Sequence, residues 1–293
     1  MTPELPPDLP PEMAPASQHT HPLQIDILTI FPAFFDGFLH HGVVARAIER
    51  KLVHVGVHDL RRFTHDAHRT VDDRPFGGGE GMVLKPEPLA EALESLGVHP
   101  LAERGSKSRE TVILLAAQGR PLTQAVAREL AAKERVVMLC GRYEGIDERI
   151  RQLYCDREIS IGDYVLSGGE LAAAVVADAT LRLVPGVLGN AASAAFESFG
   201  MADGAIQSDE DGVPRSQHGS GGLLDYPHFT RPAEFRGMRV PDALLSGDHK
   251  AVRRWRRQQQ LATTLRNRPE LLETATLTDE DHKTLAALRT RQR

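Results

Sequence analysis

Short apolar runs alternate with amphipathic stretches along most of the chain. Residues 24–31 (QIDILTIF) and 53–60 (VHVGVHDL) place apolar side chains at about every second position, which predicts two strands. Residues 111–117 (TVILLAA) and 135–140 (RVVMLC) are apolar almost throughout, which is typical of strands buried on both faces of a parallel sheet. Residues 156–160 form a further short alternating run, and we expect a fifth strand there.

Helical periodicity fills the segments between these strands. The predicted helices cover 34–51 with a break at Gly42, 86–96, 121–133 with Pro121 at the first position, 146–153, and 171–183. Strands that alternate with helices predict an α/β domain with a mostly parallel sheet flanked by helices.

Changes in polarity divide the chain further. Residues 1–22 are rich in proline and lack an apolar stretch, which predicts a disordered extension rather than a signal peptide. The α/β domain is expected over 23–199, and the Gly-, Ser- and Asp-rich segment 200–222 reads as a flexible linker. Residues 223–293 then form a small helical domain, with Asp248 as the cap of its long helix.

The charges are unevenly distributed. Across 293 residues, 40 acidic against 35 basic side chains give a net charge of −5, so the chain as a whole has no basic field. Residues 250–268 are nevertheless strongly basic around Trp255, and such a face can bind phosphates. We expect Trp255 to pack into the core of the helical domain while Arg253, Arg256 and Arg257 face outward; a plain solvated helix face is the alternative.

Two cysteines, Cys140 and Cys155, are too few for a metal tetrad and lie in apolar surroundings. We therefore expect them to be small core residues of a cytoplasmic protein. The chain has no run of 18 or more apolar residues, so no membrane span is predicted.

A glycine-rich stretch, residues 160–170 (SIGDYVLSGGE), joins the last predicted strand to a helix. Its glycines permit close approach of the backbone to a ligand, and the helix start offers unpaired N–H groups. The spacing matches neither the dinucleotide fingerprint nor the P-loop. Two interpretations remain open at this point: a backbone cradle for a small ligand, or a tight turn.

Residues 61–82 form a long polar segment with three consecutive glycines at 77–79. A loop of this length inside a compact domain is usually functional or disordered, and its charge density favours function. His65 and His68 in this loop, with His54 and His58 before it, have no cysteine partners and no HExxH spacing. Solvated or hydrogen-bonded histidines are therefore favoured, and no metal site is predicted.

Six strings occur together in one order and spacing: FTHD at 63–66, TVDDRP at 70–75 with the glycines 77–79, GRYEGIDER at 141–149, the stretch 160–170, PGVLG at 185–189 and LLSGDH at 244–249. Together they resemble the bacterial tRNA (guanine-N1)-methyltransferases. The resemblance extends over residues 24–275.

The resemblance implies a knotted α/β fold and the transfer of a methyl group from S-adenosylmethionine to N1 of guanine 37, beside the tRNA anticodon. It also implies a homodimer whose active sites are shared, contact with the anticodon stem-loop, and Mg²⁺ as an additional cofactor, although no spaced set of oxygen ligands is evident. Matched residue by residue, the cofactor contacts would come from Leu115, Gly119, Gly141, Tyr143, Ile161, Gly162, Asp163, Tyr164, Val165, Leu166, Gly168 and Gly169.

Three further residues are candidates for catalytic roles. Arg182 corresponds to the arginine that stabilises charge on the guanine O6. Glu144 would either help to bind a divalent cation or order the cofactor side of the site. Glu197 stands where the family has an aspartate general base. A glutamate has similar basicity, but its extra methylene changes the reach of the carboxylate. Either Glu197 acts as the base through a slightly retracted loop, or the base lies elsewhere or the activity is reduced.

Two alternative functions are weighed against this one. The protein could be a related methyltransferase that acts on another RNA site, which the GRYEGIDER string and the helical domain argue against. It could also be a non-catalytic RNA-binding relative, for which Glu197 is the only sign in the sequence.

Overall fold

The computed structural model describes residues 21–105, 108–189, 197–200 and 220–291. These residues form two compact units, one that ends at Val187 and one that begins at Leu188. The predicted extension over 1–22 and the predicted linker over 200–222 lie almost entirely outside the described residues, so both stay predictions.

The first unit is built on a five-stranded parallel sheet in the order β2-β1-β6-β5-β7. Its strands are β1 (Leu23–Thr29), β2 (Val53–Asp59), β5 (Glu110–Pro121), β6 (Arg135–Cys140) and β7 (Arg157–Ser160), and a separate antiparallel pair consists of β3 (Asp72–Asp73) and β4 (Val83–Leu84). The predicted α/β class with a mostly parallel sheet is confirmed. The knot implied by the resemblance stays a prediction.

Helices cover both faces of this sheet. They are α1 (Asp36–His40), α2 (Gly42–Glu49), α3 (Pro86–Ser95), α4 (Gln124–Ala131), α5 (Glu148–Tyr154) and α6 (Glu170–Leu181), with 3-10 turns at Pro32–Phe35 and Leu60–Phe63. On one face, Ile25 and Ile27 of β1 pack in a core with residues of α2, α4 and α6. On the other face, Leu28 packs with residues of α3 and α5. Burial on both faces explains why the first half of β5, up to Leu115, and nearly all of β6 are apolar.

Both cysteines are core residues, as predicted. Cys140 and Cys155 are free and buried in the cores on opposite faces of the sheet. Burial raises the pKa of the Cys155 thiol to about 12 and that of Cys140 well above its usual value. Both groups therefore remain thiols at neutral pH and are poor nucleophiles.

One predicted helix start is wrong. Pro121 does not begin a helix; it is the last residue of β5 and pairs with Ser160 of β7. Helix α4 begins at Gln124, where the side chain of Thr123 accepts a hydrogen bond from Val126 N at 3.3 Å. The predicted break at Gly42 is confirmed, because α2 starts there with a φ of +71°.

The described part of the second unit is mainly helical. It contains α7 (Asp242–Leu245), α8 (His249–Asn267), a 3-10 turn (Pro269–Glu273), α9 (Asp279–Arg291) and a hairpin of β8 (Glu234–Phe235) and β9 (Met238–Arg239). Asp248 caps α8 as predicted, accepting hydrogen bonds from Lys250 N at 2.8 Å and Ala251 N at 3.1 Å. The core of this unit is formed by Leu223, Leu261 and Leu285.

The orientation predicted for Arg257 is also wrong. Arg257 is buried, and its Nη2 lies 2.8 Å from Oδ2 of Asp281 in α9. Arg256 is exposed as predicted, with its guanidinium 4.9 Å from the Tyr226 ring centroid. Trp255 is half-buried, and its ring meets that of Phe229 edge-on at 6.1 Å. Within the described ranges, no helix has both the length and the apolarity that crossing a membrane requires.

Candidate functional site

A cavity lies at the carboxyl ends of β6 and β7 and beside the middle of β5, where parallel sheets commonly bind ligands. All of the predicted cofactor residues except Gly119 and Asp163 line it: Leu115, Gly141, Tyr143, Ile161, Gly162, Tyr164, Val165, Leu166, Gly168 and Gly169. The predicted catalytic residue Glu144 lines it as well. The structure therefore favours the backbone cradle over the plain turn.

The two exceptions have different positions. Gly119 lies against β7: a Cβ there would come within 2.5 Å of Ile159 N, so this glycine permits the close approach of the two strands. Asp163 is exposed on the loop that follows β7. Neither is among the residues that line the cavity.

The loop after β7 is held by its own hydrogen bonds. Ser160 Oγ donates to the Gly162 carbonyl at 3.0 Å, and the Tyr164 hydroxyl donates to the Ile161 carbonyl at 3.1 Å. Gly162 has a φ of +153°, and a Cβ there would come within 2.4 Å of the Tyr164 ring. This turn therefore requires glycine for both its backbone conformation and its packing.

The loop after β6 meets the glycine pair that precedes α6. Gly169 N donates to the Gly141 carbonyl at 2.9 Å, and Arg142 and Gly168 form an isolated antiparallel bridge. A Cβ on Gly169 would lie 2.7 Å from Cα of Cys140. The two loops can approach this closely only because Gly169 has no side chain.

The end of the long polar segment 61–82 contacts the loop after β6, which lines the cavity. Met82 accepts a hydrogen bond from Glu144 N at 3.0 Å, and Leu84 exchanges hydrogen bonds at 3.0 Å with Gly145 and Asp147. A Cβ on Gly81 would lie 2.6 Å from Oε1 of Glu144. The end of this segment is thus packed against the loop that carries Glu144, which agrees with a functional role for the segment.

A buried charged group beside the cavity was not predicted from the sequence. Glu170, at the start of α6, forms an ion pair with Arg142 at 3.1 Å and accepts a hydrogen bond from Thr29 Oγ1 at 2.8 Å. Thr29 belongs to β1 and lies 141 positions away in sequence, so local patterns could not connect the two residues. An acidic residue directly after the glycine pair was the only available sign.

The remaining predicted catalytic residues lie at the ends of the described segments. Arg182 directly follows α6, is half-buried, and its backbone N donates to the Asp178 carbonyl at 3.2 Å. Glu197 is half-buried in the second unit, where its carbonyl accepts from Gly200 N at 3.0 Å. Their catalytic roles stay predictions. Among the described residues, no group of three His, Cys, Asp or Glu side chains is placed to hold a metal ion.

The fold and the cavity define an α/β protein with a cavity lined by glycine-rich loops at the carboxyl ends of parallel strands. Residues 23–274 match the family described as tRNA (Guanine-1)-methyltransferase TrmD. The chain belongs to this family, which confirms the resemblance found in the sequence.

Relatives with assigned names are similar to this chain over most of their lengths. A tRNA (guanine-N(1)-)-methyltransferase of Koribacter versatilis is 54% identical over 91% of this chain and 98% of its own length. Proteins with the same name from Pelotomaculum thermopropionicum and Geobacter metallireducens are 50% and 47% identical over 91% of this chain, and over 96% and 98% of their own lengths.

Proposed function

We propose that this protein transfers a methyl group from S-adenosylmethionine to N1 of guanine 37 in tRNA. The proposal is supported by membership of the tRNA (Guanine-1)-methyltransferase family and by relatives that carry the corresponding name. The observation that carries it is the cavity itself, because nearly all residues matched to the family's cofactor contacts line that one cavity.

The cavity suits the two ends of S-adenosylmethionine. Its wall combines the loop backbone at Gly141 and Gly168 with the apolar side chains of Leu115, Ile161 and Leu166. Backbone N–H and C=O groups can read the edge of an adenine, while apolar side chains pack on its faces. Glu144 adds a carboxylate that would attract the amino group of the methionine part. When bound, the cofactor supplies an electrophilic methyl group on a sulfonium.

The protein's own residues would prepare the nucleophile. Guanine N1 carries a proton and becomes reactive when a base removes it, and we assign that role to Glu197. Negative charge then develops on the guanine O6, where the guanidinium of Arg182 would stabilise it. The methyl group needs orientation more than activation, because it already sits on a good leaving group.

A homodimer with shared active sites is part of the proposal. Leu171 and Val175 lie one turn apart on α6 and are 52% and 44% exposed, and Val165 on the adjacent loop is 88% exposed. Apolar side chains clustered at a surface commonly mark an interface with another chain. A second copy of this protein, packed on α6, would remove them from water.

Binding of the tRNA would depend on the second unit. The exposed side chains of Arg254 and Arg256 lie on α8, whose basic sequence suits the phosphates of an anticodon stem. These contacts would position the tRNA without reading its bases.

A labelled transfer assay tests the proposal. Purified protein is incubated with methyl-labelled S-adenosylmethionine and an unmodified tRNA that has guanine at position 37, beside the same tRNA with adenine there. Label should enter only the first tRNA. Equal labelling of both would point to another RNA site, and no labelling despite measurable cofactor binding would favour a non-catalytic RNA-binding protein.

A further inference from the structure

The carboxylate of Glu170 is buried next to the loops that line the cavity. Its side chain retains only 2% of its accessible surface. Oε1 accepts a hydrogen bond from Thr29 Oγ1 at 2.8 Å, and Oε2 lies 3.1 Å from Nη2 of Arg142. A buried carboxylate is tolerated when its partners compensate the lost hydration, as these two do.

These groups close into a ring. Thr29 Oγ1 also accepts a hydrogen bond from Phe31 N at 3.0 Å. The Phe31 side chain lies under the guanidinium of Arg142, with its ring centroid 4.5 Å from Cζ. The ring of contacts therefore connects the end of β1, the loop after β6 and the start of α6.

Both loops of the cavity end at this ring. Arg142 belongs to the loop after β6, and Gly168 lies two residues before Glu170 in the loop after β7. A Cβ on Gly168 would come within 2.3 Å of Nε of Arg142 and 2.6 Å of Oε2 of Glu170. The ion pair and the absence of a side chain at position 168 therefore contribute, together with Gly169, to the close approach of the two loops.

We propose that Glu170 is a positioning residue for the methyl donor, acting through Arg142. Its negative charge keeps Arg142 on Phe31, which keeps the loop at 141–145 against the glycine pair and preserves the shape of the cavity. This inference rests on the proposed function, because it takes S-adenosylmethionine to be the ligand of the cavity. The consequence is specific: loss of the charge should weaken binding of the methyl donor and leave tRNA binding unchanged.

The test compares Glu170→Gln with wild type and with Glu87→Gln. Glu87 is an exposed acidic residue in the first turn of α3. Glu87→Gln therefore shows the effect of losing a carboxylate at the start of a helix that does not adjoin the cavity. Calorimetry should show the Kd for S-adenosylmethionine raised on the order of tenfold in Glu170→Gln only. The KM for tRNA should stay within about twofold in all three proteins. An unchanged Kd in Glu170→Gln would overturn the proposal.

Two further variants separate positioning from general stability. Thr29→Val keeps the side-chain shape but removes one hydrogen bond to Glu170, so it should raise the Kd by a few fold even if Glu170→Gln folds poorly. In a double-mutant cycle with Arg142→Lys, the double variant should bind no more weakly than the weaker single variant, because the two residues act as one unit. Fully additive effects would contradict action through Arg142.

Binding of S-adenosylmethionine by the wild type separates failure of the proposed function from failure of the positioning role. If wild type does not bind S-adenosylmethionine, the proposed function fails and this inference fails with it. If wild type binds the donor and Glu170→Gln binds it equally well, only the positioning role is wrong.

Discussion

Nε2 of His58 lies 2.7 Å from Oδ1 of Asp26, and this contact joins β2 to β1. The other oxygen of Asp26 is 2.8 Å from Nε of Arg135 on β6, so one carboxylate links three neighbouring strands. Asp26 is buried, with an exposed fraction of 1%. The side chain of His58 reaches it across Gly56, where a Cβ would lie 2.8 Å from Nε2 and 2.9 Å from Oδ1.

The first prediction concerns Gly56→Ala. The added methyl group should separate His58 from Asp26 and lower the free energy of unfolding by about 1–3 kcal/mol, as in other overpacked sites. Gly37→Ala is the matched control, because no atom lies within 4 Å of its added Cβ and the residue is helical. Urea unfolding should show the control equal to or slightly more stable than wild type. Equal stability of Gly56→Ala and wild type would contradict the packing described for this contact.

The second prediction concerns pH. Burial opposes ionisation of Asp26, but the hydrogen bonds from His58 and Arg135 outweigh it and hold its pKa below the usual value of 3.8. Because the folded pKa is the lower one, Asp26 contributes stability above the unfolded pKa, and this contribution is lost as the pH falls towards the folded pKa. The Asp26→Asn variant should be less stable than wild type near neutral pH, and its stability should fall less steeply in acid.

The measurement is urea unfolding of wild type, Asp26→Asn and Asp36→Asn from about pH 7 to about pH 3. Asp36 is exposed, so its variant should follow wild type throughout. If Asp26→Asn loses stability in acid as steeply as wild type, protonation of Asp26 is not a cause of the acid loss of stability.

The third prediction concerns the general base. Glu197→Ala should lower kcat by a factor on the order of 100–10,000, the range for loss of general base catalysis. The Kd for S-adenosylmethionine should not change, because this side chain is assigned to the guanine proton and not to the donor. Glu197→Asp restores the residue of the family pattern and should keep most of the activity. Near-normal turnover of the Ala variant would remove Glu197 from the mechanism.

The fourth prediction contrasts two adjacent arginines of α8. Arg257 is paired with Asp281 in the interior, so Arg257→Gln should destabilise the second unit by about 3–5 kcal/mol, the usual cost of breaking a buried pair. Arg256 is exposed and its guanidinium contacts the Tyr226 ring, so Arg256→Gln should lower stability by no more than about 1 kcal/mol. It should weaken tRNA binding and reduce the slope of log K against log salt by about 1. An unchanged slope would show that Arg256 is not a phosphate contact.

The fifth prediction concerns the exposed face of α6. Val175→Glu places a charge among the exposed apolar side chains and should shift a dimer towards the monomer in light scattering. Leu153→Glu is the control, because Leu153 is 52% exposed on α5 and lies away from the proposed face. A monomeric wild type, or a dimer that tolerates Val175→Glu, would contradict an interface on α6.

The five strands of the parallel sheet could be predicted from the sequence, because their burial produces a local pattern of apolar residues. The short pairs β3–β4 and β8–β9 have no such pattern and were not predicted. The helix start that was wrongly predicted at Pro121 shows the limit of such local patterns. β5 pairs with β7 up to Leu115, has an irregular stretch between Leu115 and Arg120, and pairs with β7 again at Arg120 and Pro121. The last residues of β5 are therefore a strand because of their pairing with β7, which lies much later in the sequence. A proline after a polar segment also fits a helix start, and only the pairing with Ser160 decides between the two.

The candidate site was predictable where several strings together carry the family's pattern and unpredictable where distant residues meet. Each glycine loop is contiguous in sequence, so matching it residue by residue to the family indicates residues that line the cavity. The burial of Arg257 could not be predicted, because its partner Asp281 lies 24 positions further along, on another helix. Thr29 and Glu170 are further apart still, and a buried hydrogen bond between them has no local signature.

The most direct test of the central claim is to locate the added methyl group in the tRNA product. A methyl group on guanine N1 blocks the Watson–Crick edge, so reverse transcription of the product should stop immediately before position 37. Nucleoside mass spectrometry of the same RNA should detect 1-methylguanosine. Uninterrupted extension through position 37, or a methylated nucleoside of another kind, would contradict the assignment of this protein as a guanine-37 N1-methyltransferase.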